Sequence, residues 1–176
     1  MRPDIGGLQN FFSDIVHDNV RWVPDEVALI FRDRVTTWAE LGQKMARVQR
    51  GLASLGVTRG SRVAILERNS DDYVVLGFAL AGMGAIMCPI NTMLRANEIN
   101  YILEVGSPSL LLTEPGLLDL AQDSVAGLTT PPKLVLRGGK AEGDIIDWEA
   151  VQASAPEDIQ VSQPVDWDDP YMILFT

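Results

Sequence analysis

The residues of this chain that could do chemistry are few, and the first set surrounds its only histidine. Asp14, His17 and Asp18 recur at helical spacing beside Ser13, so they could be read as a catalytic triad or a metal site. A triad needs groups that converge from separate segments around an oxyanion hole, and one exposed helical turn does not supply them. We therefore interpret this set as a solvated polar helix face.

Three further sets lie in the middle of the chain. The glycines of 82–84 are spaced like part of a dinucleotide-binding loop, but they follow a predicted helix, whereas a pyrophosphate-binding turn precedes one. Asp71 and Asp72 could form a phosphorelay-type acidic pocket, yet no isolated phosphoacceptor or partner lysine follows at later strand ends, so we interpret them as an acidic first helical turn. Cys88 stands among apolar residues, which predicts a core position rather than a nucleophile.

Two loops at the carboxyl ends of predicted strands are candidate binding positions. Asn91, Thr92 and Arg95 follow the apolar run at 85–90, and Thr176 follows the apolar run at 171–175. In open α/β folds ligands bind in loops at this end of the strands. The residues at 91–95 also suit an ordinary turn and helix cap, which is the interpretation we prefer for them.

Composition restricts the class of partner. Of 176 residues, 47% are hydrophobic, which is typical of a globular domain with a real core. The 14 basic residues are scattered among 24 acidic ones, and the net charge of −10 argues against a nucleic-acid partner.

Cysteine usage and apolar runs bear on location. The single cysteine excludes an intrachain disulfide and suits the reducing cytoplasm, and the first ten residues lack the basic and apolar segments of a signal peptide. The 22 residues at 73–94 carry no charge, but Gly82, Gly84 and Pro89 interrupt them. We therefore expect a buried helix followed by a buried strand there, and no transmembrane segment.

The pattern of apolar residues predicts the elements. We expect an amphipathic helix at 8–18, a hairpin of 27–31 with 35–38 turning at Asp33 and Arg34, and a helix that starts with a Thr37–Glu40 capping box and stops at Gly56. Beyond residue 60, short apolar runs alternate with helical patterns. The runs predicted as strands are 63–66, 85–90, 109–113 and 133–136, and the intervening helices are about 71–82, 96–104 and from 115.

This alternation predicts an α/β fold with a largely parallel twisted sheet and helices on both faces, preceded by a short N-terminal helix and a β-hairpin. Residues 138–170 are looser, with one short helical stretch at 147–152. The run 171–175 is predicted as a final strand.

Three stretches resemble the early signatures of the AMP-forming acyl-CoA synthetases, which belong to the adenylate-forming superfamily. They are VTTWAEL (35–41), GVTRGSRVAILERNS (56–70) and LAGMGAIMCPINTMLRANEINYIL (80–103), in the family's order. The resemblance extends over nearly the whole chain from residue 8. It implies that 1–176 is part of the N-terminal, AMP-binding domain, and that the rest of that domain and the mobile C-terminal domain lie beyond this sequence.

The resemblance also implies substrates and site residues. The expected activity joins a fatty or aromatic carboxylic acid to coenzyme A through an acyl-adenylate, with Mg-ATP and coenzyme A as cosubstrates. Thr176 would begin the Ser/Thr/Gly-rich loop that holds the ATP phosphates. Asn91, Thr92 and Arg95 occupy a loop that approaches coenzyme A in relatives, although Arg95 stands where relatives often carry Thr or Ser. The resemblance assigns no catalytic or metal-binding residue to this chain, which we expect to be inactive alone.

Two alternatives remain open. The chain could serve another adenylate-forming enzyme, such as a luciferase-like protein or a peptide-synthetase adenylation domain. It could also be a non-catalytic α/β module that binds a partner or assembles as a homo-oligomer through exposed apolar surface.

Overall fold

The computed structural model describes residues 11–159, 161, 165–166 and 168–175. The helices are α1 (Phe11–Trp22), α2 (Trp38–Ser54), α3 (Asp71–Gly82), α4 (Ala96–Gly106), α5 (Leu118–Val125) and α6 (Trp148–Ser154). The strands are β1 (Val27–Phe31), β2 (Arg34–Thr37), β3 (Arg62–Leu66), β4 (Ile86–Pro89), β5 (Leu110–Thr113), β6 (Lys133–Leu136) and β7 (Ile146–Asp147). The predicted start of the first helix at residue 8 lies outside the described residues.

Helix α2 begins with the predicted capping box. The Thr37 hydroxyl accepts from the Glu40 backbone N–H at 3.3 Å, and the Glu40 carboxylate accepts from the Thr37 backbone N–H at 2.9 Å. These two bonds satisfy donors that the first helical turn leaves free. The apolar stripe of α2 faces the core, and its fully buried members include Leu41 and Leu52.

The hairpin turn was predicted one residue too late. Phe31 pairs with Arg34, so the two turn residues are Arg32 and Asp33, and β2 starts at Arg34. Arg32 has φ 57°, the left-handed conformation that a two-residue hairpin turn requires. The prediction was wrong because no glycine or asparagine marks the position of this turn.

Five strands form one parallel sheet in the order β4-β3-β5-β6-β7. This confirms the α/β fold class and the four central predicted strands. The two-residue strand β7 was not predicted, because Ile146 and Asp147 are too short a run to stand out from the loop around them.

Alternate residues of the strands enter two separate cores, one on each face. Val63, Ile65 and Leu112 join the core that α2, α3 and α6 cover. Ala64 and Leu111 join the core that α4 and α5 cover. The sheet is therefore buried on both sides, as parallel sheets are.

The terminal apolar run reaches the sheet but forms only one bridge to it. Met172 pairs in parallel with Met87, whose N–H donates to the Tyr171 carbonyl and whose carbonyl accepts from the Ile173 N–H, both at 2.9 Å. Next along β4, the residue facing this segment is Pro89, which has no N–H to donate to the Ile173 carbonyl. The predicted strand at 171–175 is therefore reduced to a single bridge at Met172, because proline prevents the pairing from continuing.

The uncharged stretch at 73–94 divides as expected between most of helix α3 and the strand β4. Within the part of the chain that the structure describes, every helix is too short or too polar to cross a membrane.

Candidate functional site

The carboxyl edge of the sheet is where ligand-binding loops are expected, and its topology creates a crevice there. The helix after β3 covers one face of the sheet, and the helix after the adjacent strand β5 covers the other. The two connections therefore diverge and leave an opening between the ends of β3 and β5.

A buried ion pair spans this edge. Glu67, the residue after β3, is 5% exposed, and its carboxylate accepts from Arg137 Nε at 2.7 Å and from Arg137 Nη2 at 2.6 Å. Arg137 follows β6, so the pair bridges the end of β5, which lies between the two strands. Burial raises the pKa of Glu67, and the Arg137 guanidinium offsets part of that rise.

Three other contacts hold the same edge together. The Arg68 guanidinium pairs with the Glu114 carboxylate, joining the loops after β3 and β5. The buried Thr113 hydroxyl donates to the Leu66 carbonyl at 3.1 Å. The Gly138 N–H donates to the Glu149 carboxylate at 2.9 Å, which ties α6 to the loop after β6.

Two cavities open beside these contacts, along the polar face of α2. The larger is about 400 Å³ and is bordered by Ser70, Asp72 and Arg137 among others. The smaller is about 370 Å³, and the two share Lys44 and Arg47. Lys44 makes one long hydrogen bond, and Arg47 has no partner in the described ranges, so α2 offers available positive charge to this groove.

Asn91, Thr92 and Arg95 lie at the same edge, in the loop between β4 and α4. The Asn91 carboxamide oxygen accepts from the Met93 N–H at 2.9 Å, and the Glu98 carboxylate accepts from the Arg95 backbone N–H at 2.8 Å. The loop is therefore a turn followed by a helix start, which is the interpretation that the sequence favoured. The Arg95 side chain is exposed and makes no hydrogen bond within the described residues.

The other candidate of the sequence, Thr176, lies outside the described residues. Just before it, the Phe175 ring packs against Gly106 at the end of α4, where an added Cβ would meet the ring at 3.2 Å. Gly106 also accepts from Arg62, the first residue of β3, so this contact lies at the amino edge of the sheet. The chain has left the line of the sheet by residue 175.

Two of the residue sets that the sequence analysis interpreted as non-catalytic, the one around His17 and Cys88, lie in surroundings that favour that interpretation. His17 and Asp18 are exposed on α1, and no three His, Cys, Asp or Glu side chains among the described residues could hold a metal ion together. Cys88 is buried, and burial raises the pKa of its thiol, which disfavours the nucleophilic thiolate.

Sequence reasoning missed two buried carboxylates with partners distant in the chain. Asp71 was interpreted only as a residue of the acidic first turn of α3, yet it is 4% exposed and accepts from Arg34 of β2 at 2.5 Å. Glu67 was not singled out at all. The available signal was its position directly after the apolar run 63–66, where a charged residue lies at the carboxyl edge and close to the core.

Comparison with known proteins shows the family. The family model described as AMP-binding enzyme matches residues 16–176. A long-chain-fatty-acid–CoA ligase of Thermus thermophilus is 34% identical over 128 residues, which is 73% of this chain and 24% of the ligase. A crotonobetaine/carnitine–CoA ligase of Salmonella paratyphi A is 30% identical over 181 residues, which is 98% of this chain and 35% of the ligase.

Solved structures agree. The apo structure of MbtA from Mycobacterium smegmatis superposes with a TM-score of 0.81 at 27% identity, covering 93% of this chain and 30% of that one. The anthranilate CoA ligase AuaEII, solved with anthranoyl-AMP, has a TM-score of 0.85 at 24% identity, covering 98% of this chain and 33% of that one, and this likeness shows the fold alone. The chain spans about a quarter to a third of the length of the curated relatives, and it belongs to the AMP-binding enzyme family.

Proposed function

We propose that this chain is the first part of the AMP-binding domain of an ATP-dependent, AMP-forming ligase that joins a carboxylic acid to coenzyme A. The observation that carries the proposal is the family match over residues 16–176, supported by relatives that are named as CoA ligases. The acid is fatty or aromatic. We propose a cytoplasmic location for the enzyme, because ATP and coenzyme A are its cosubstrates and its single cysteine is buried and free.

The reaction has two balanced steps. An oxygen of the acid's carboxylate bonds to the α-phosphorus of Mg-ATP, and the bond from that phosphorus to pyrophosphate breaks. The thiol of coenzyme A, which gives up its proton, then bonds to the acyl carbon and displaces AMP. Adenylation replaces a very poor oxide leaving group with a good one.

This chain would contribute binding groups at the carboxyl edge of its sheet. Arg95 fits the coenzyme A role because its exposed guanidinium has no side-chain partner among the described residues and could bind a phosphate. The Thr92 hydroxyl and the Asn91 amide nitrogen beside it could accept or donate further hydrogen bonds. Thr176 is proposed as the first residue of the loop that holds the ATP phosphates on the family resemblance alone, since the Phe175 ring before it packs near the amino edge of the sheet.

The direct test is catalysis by a longer protein that contains this chain followed by the rest of the domain. We expect pyrophosphate release that depends on both ATP and a fatty or aromatic acid, and thioester formation when coenzyme A is added. Adenylation without any thioester would favour a luciferase-like or peptide-synthetase enzyme instead. Absence of pyrophosphate release with every acid of a broad panel would contradict an adenylate-forming function.

Two further measurements test the assignment of sites. The 176-residue chain alone should show no turnover, and acid-dependent pyrophosphate release from it would contradict that expectation. In the longer protein, Arg95→Ala should raise the KM for coenzyme A by about tenfold and leave the KM for ATP unchanged. Lys140→Ala, an exposed cation in the loop after β6, is the matched control and should change neither KM.

A further inference from the structure

The smaller of the two cavities beside α2 collects positive charge, although the chain is acidic as a whole. Its volume of about 370 Å³ is within the range of small-ligand sites. The residues that line it are Arg34, Val35, Thr36, Glu40, Gln43, Lys44 and Arg47. Three of these are basic and one is acidic, whereas the net charge of the chain is −10. We call this cavity the cationic pocket.

Two packed elements converge on the cationic pocket. Arg34 and Thr36 are alternate residues of β2, so their side chains point to the same face of the hairpin. Lys44 and Arg47 are three positions apart on α2 and therefore share one helix face. The Lys44 ammonium donates to the hydroxyl of the buried Thr36 at 3.4 Å, and this bond joins the two elements.

The three cations of the pocket retain donors for a ligand. Lys44 is half-buried, and its long bond to the hairpin is its only polar contact within the described residues. Arg47 has no partner among them, and Arg34 donates to Asp71 at 2.5 Å but has further N–H groups. Glu40 offsets one positive charge, yet its carboxylate already accepts a hydrogen bond in the capping box of α2.

The larger cavity shares Lys44 and Arg47 but does not accumulate charge. Its other charged lining residues are one further cation, Arg137, and three carboxylates, those of Asp72, Glu114 and Glu149. Positive and negative groups are therefore equal in number there. An anion is expected to prefer the smaller cavity, where positive groups are in excess.

The lining also restricts the kind of anion. It contains no aromatic ring on which a nucleobase could stack. The negative charge of the whole chain disfavours a long polyanion such as a nucleic acid. A compact anion with two phosphoryl groups can bind Lys44 and Arg47 together, and phosphate oxygens suit the forked donors of a guanidinium.

From these observations we infer that the cationic pocket binds a compact polyphosphate, of which inorganic pyrophosphate is the simplest member. One phosphoryl group accepts from the Lys44 ammonium and the other from the Arg47 guanidinium. The pocket lies beside α2, which covers one face of the sheet, whereas Arg95 precedes α4 on the opposite face. The site is therefore separate from the proposed coenzyme A position, and the inference does not depend on the proposed function.

Calorimetric titration of the 176-residue chain with sodium pyrophosphate, without magnesium and at constant ionic strength, tests the inference. We expect one site per chain with a dissociation constant below about 1 mM. Lys44→Ala and Arg47→Ala should each raise that constant about tenfold or more, because each removes a charge-assisted hydrogen bond. Arg47→Lys keeps the charge and should lose less affinity than Arg47→Ala. The matched control is Lys133→Ala, an exposed cation at the start of β6 on the amino edge of the sheet, which should bind normally.

Two other ligands distinguish the class of anion. Inorganic phosphate should bind about tenfold more weakly than pyrophosphate, because one phosphoryl group does not engage both cations fully. ATP should bind no more tightly than pyrophosphate, because the pocket offers its base no stacking surface. Circular dichroism checks that each variant is folded.

Several results would overturn the inference. One is the absence of pyrophosphate binding up to about 10 mM. Another is an affinity that is unchanged in both alanine variants, or that falls as much in Lys133→Ala as in them. Tighter binding of ATP that is lost in the same two variants, or equal affinity for phosphate and pyrophosphate, would contradict the assignment to a compact polyphosphate.

Discussion

The Glu67–Arg137 pair is buried and bidentate, so the loss of either side chain leaves a buried charge without its partner. Its two short hydrogen bonds lie where both side chains are largely removed from water. Removing such charges from water costs free energy, and the bidentate geometry returns much of it. Because the pair reaches across the end of β5, it fixes the spacing of three strand ends at the edge that binds ligands in this type of fold.

Arg137→Met should destabilise the chain by about 3–5 kcal/mol at neutral pH, because it leaves the Glu67 carboxylate buried without a partner. Without the guanidinium, the pKa of Glu67 moves further above its ordinary value of 4.5. Below that value Glu67 is protonated in the folded and the unfolded chain alike, so the deficit shrinks as the pH falls towards 4.5 and grows as the pH rises above it. Urea unfolding at several pH values measures this.

Arg68→Met is the matched control at the same edge. The Arg68 side chain is 63% exposed, so losing its pair with Glu114 should cost less than about 1 kcal/mol. A deficit for Arg137→Met that is no larger than this control, or that does not depend on pH, would show that the buried pair does not have the role described.

The sequence predicts residue-level contacts when the partners are close in the chain. Thr37 and Glu40 are three residues apart, and their capping box was visible as a local pattern. Glu67 and Arg137 are separated by 70 positions, and only the completed sheet brings them together. The Asn91 turn was likewise predictable, but whether Arg95 binds a ligand is not a local property.

The apolar patterns in the sequence located the helices and strands. The observed ends differ from the predicted ones where a single residue cannot make the backbone hydrogen bond that would extend the element. The run 171–175 has the composition of a strand, yet pairing stops where Pro89 lacks a donor.

The contact between helices α1 and α2 also depends on a single residue. Gly42 of α2 faces Val20 of α1 so closely that an added Cβ would lie 2.8 Å from Val20 Cγ2.

Gly42→Ala should therefore destabilise the chain by about 1–2 kcal/mol, because overpacking against α1 exceeds the gain of about 1 kcal/mol in helix propensity. In a Val20→Ala background the methyl group has room, so the same substitution should become stabilising. Free energies of unfolding for the four chains of this double-mutant cycle check the reversal of sign.

Gln43→Ala, at the neighbouring exposed position of α2, is the control and should change stability by less than about 0.5 kcal/mol in either background. If Gly42→Ala stabilises the chain while Val20 is intact, α1 does not pack against α2 at this glycine.

At the scale of the whole molecule, alternation of runs and helices was enough to predict a parallel sheet covered on both sides. It did not predict the strand order. The spacing of about 23 residues between strand centres is the same whether the next strand lies beside the previous one or on the far side of another strand. The order matters for the site, since the crevice exists only because β5 lies beside β3.

Residues from near both ends of the described chain meet on one side of the sheet. The rings of Phe12 and Tyr171 are stacked with centroids 4.8 Å apart. Replacing each with Leu, singly and together, should reveal a coupling free energy of about 0.5–1.5 kcal/mol, as expected for an aromatic pair. Thermal or urea unfolding of the four chains measures it.

The control cycle combines Phe12→Leu with Tyr101→Leu, whose ring is exposed on α4, and should be additive within about 0.5 kcal/mol. Additivity of the Phe12 and Tyr171 substitutions themselves would show that α1 is held independently of the terminal segment.

The bridge from Met87 to Met172 also has a consequence for biosynthesis. The two residues are 172 − 87 = 85 positions apart, so at about 5–20 residues per second a ribosome needs about 4–17 s to deliver the second after the first. Throughout that delay the flank of β4 is bare in the nascent chain. An unpaired strand edge can pair with another chain, so two nascent copies can cross-pair at this flank until Met172 has been synthesised.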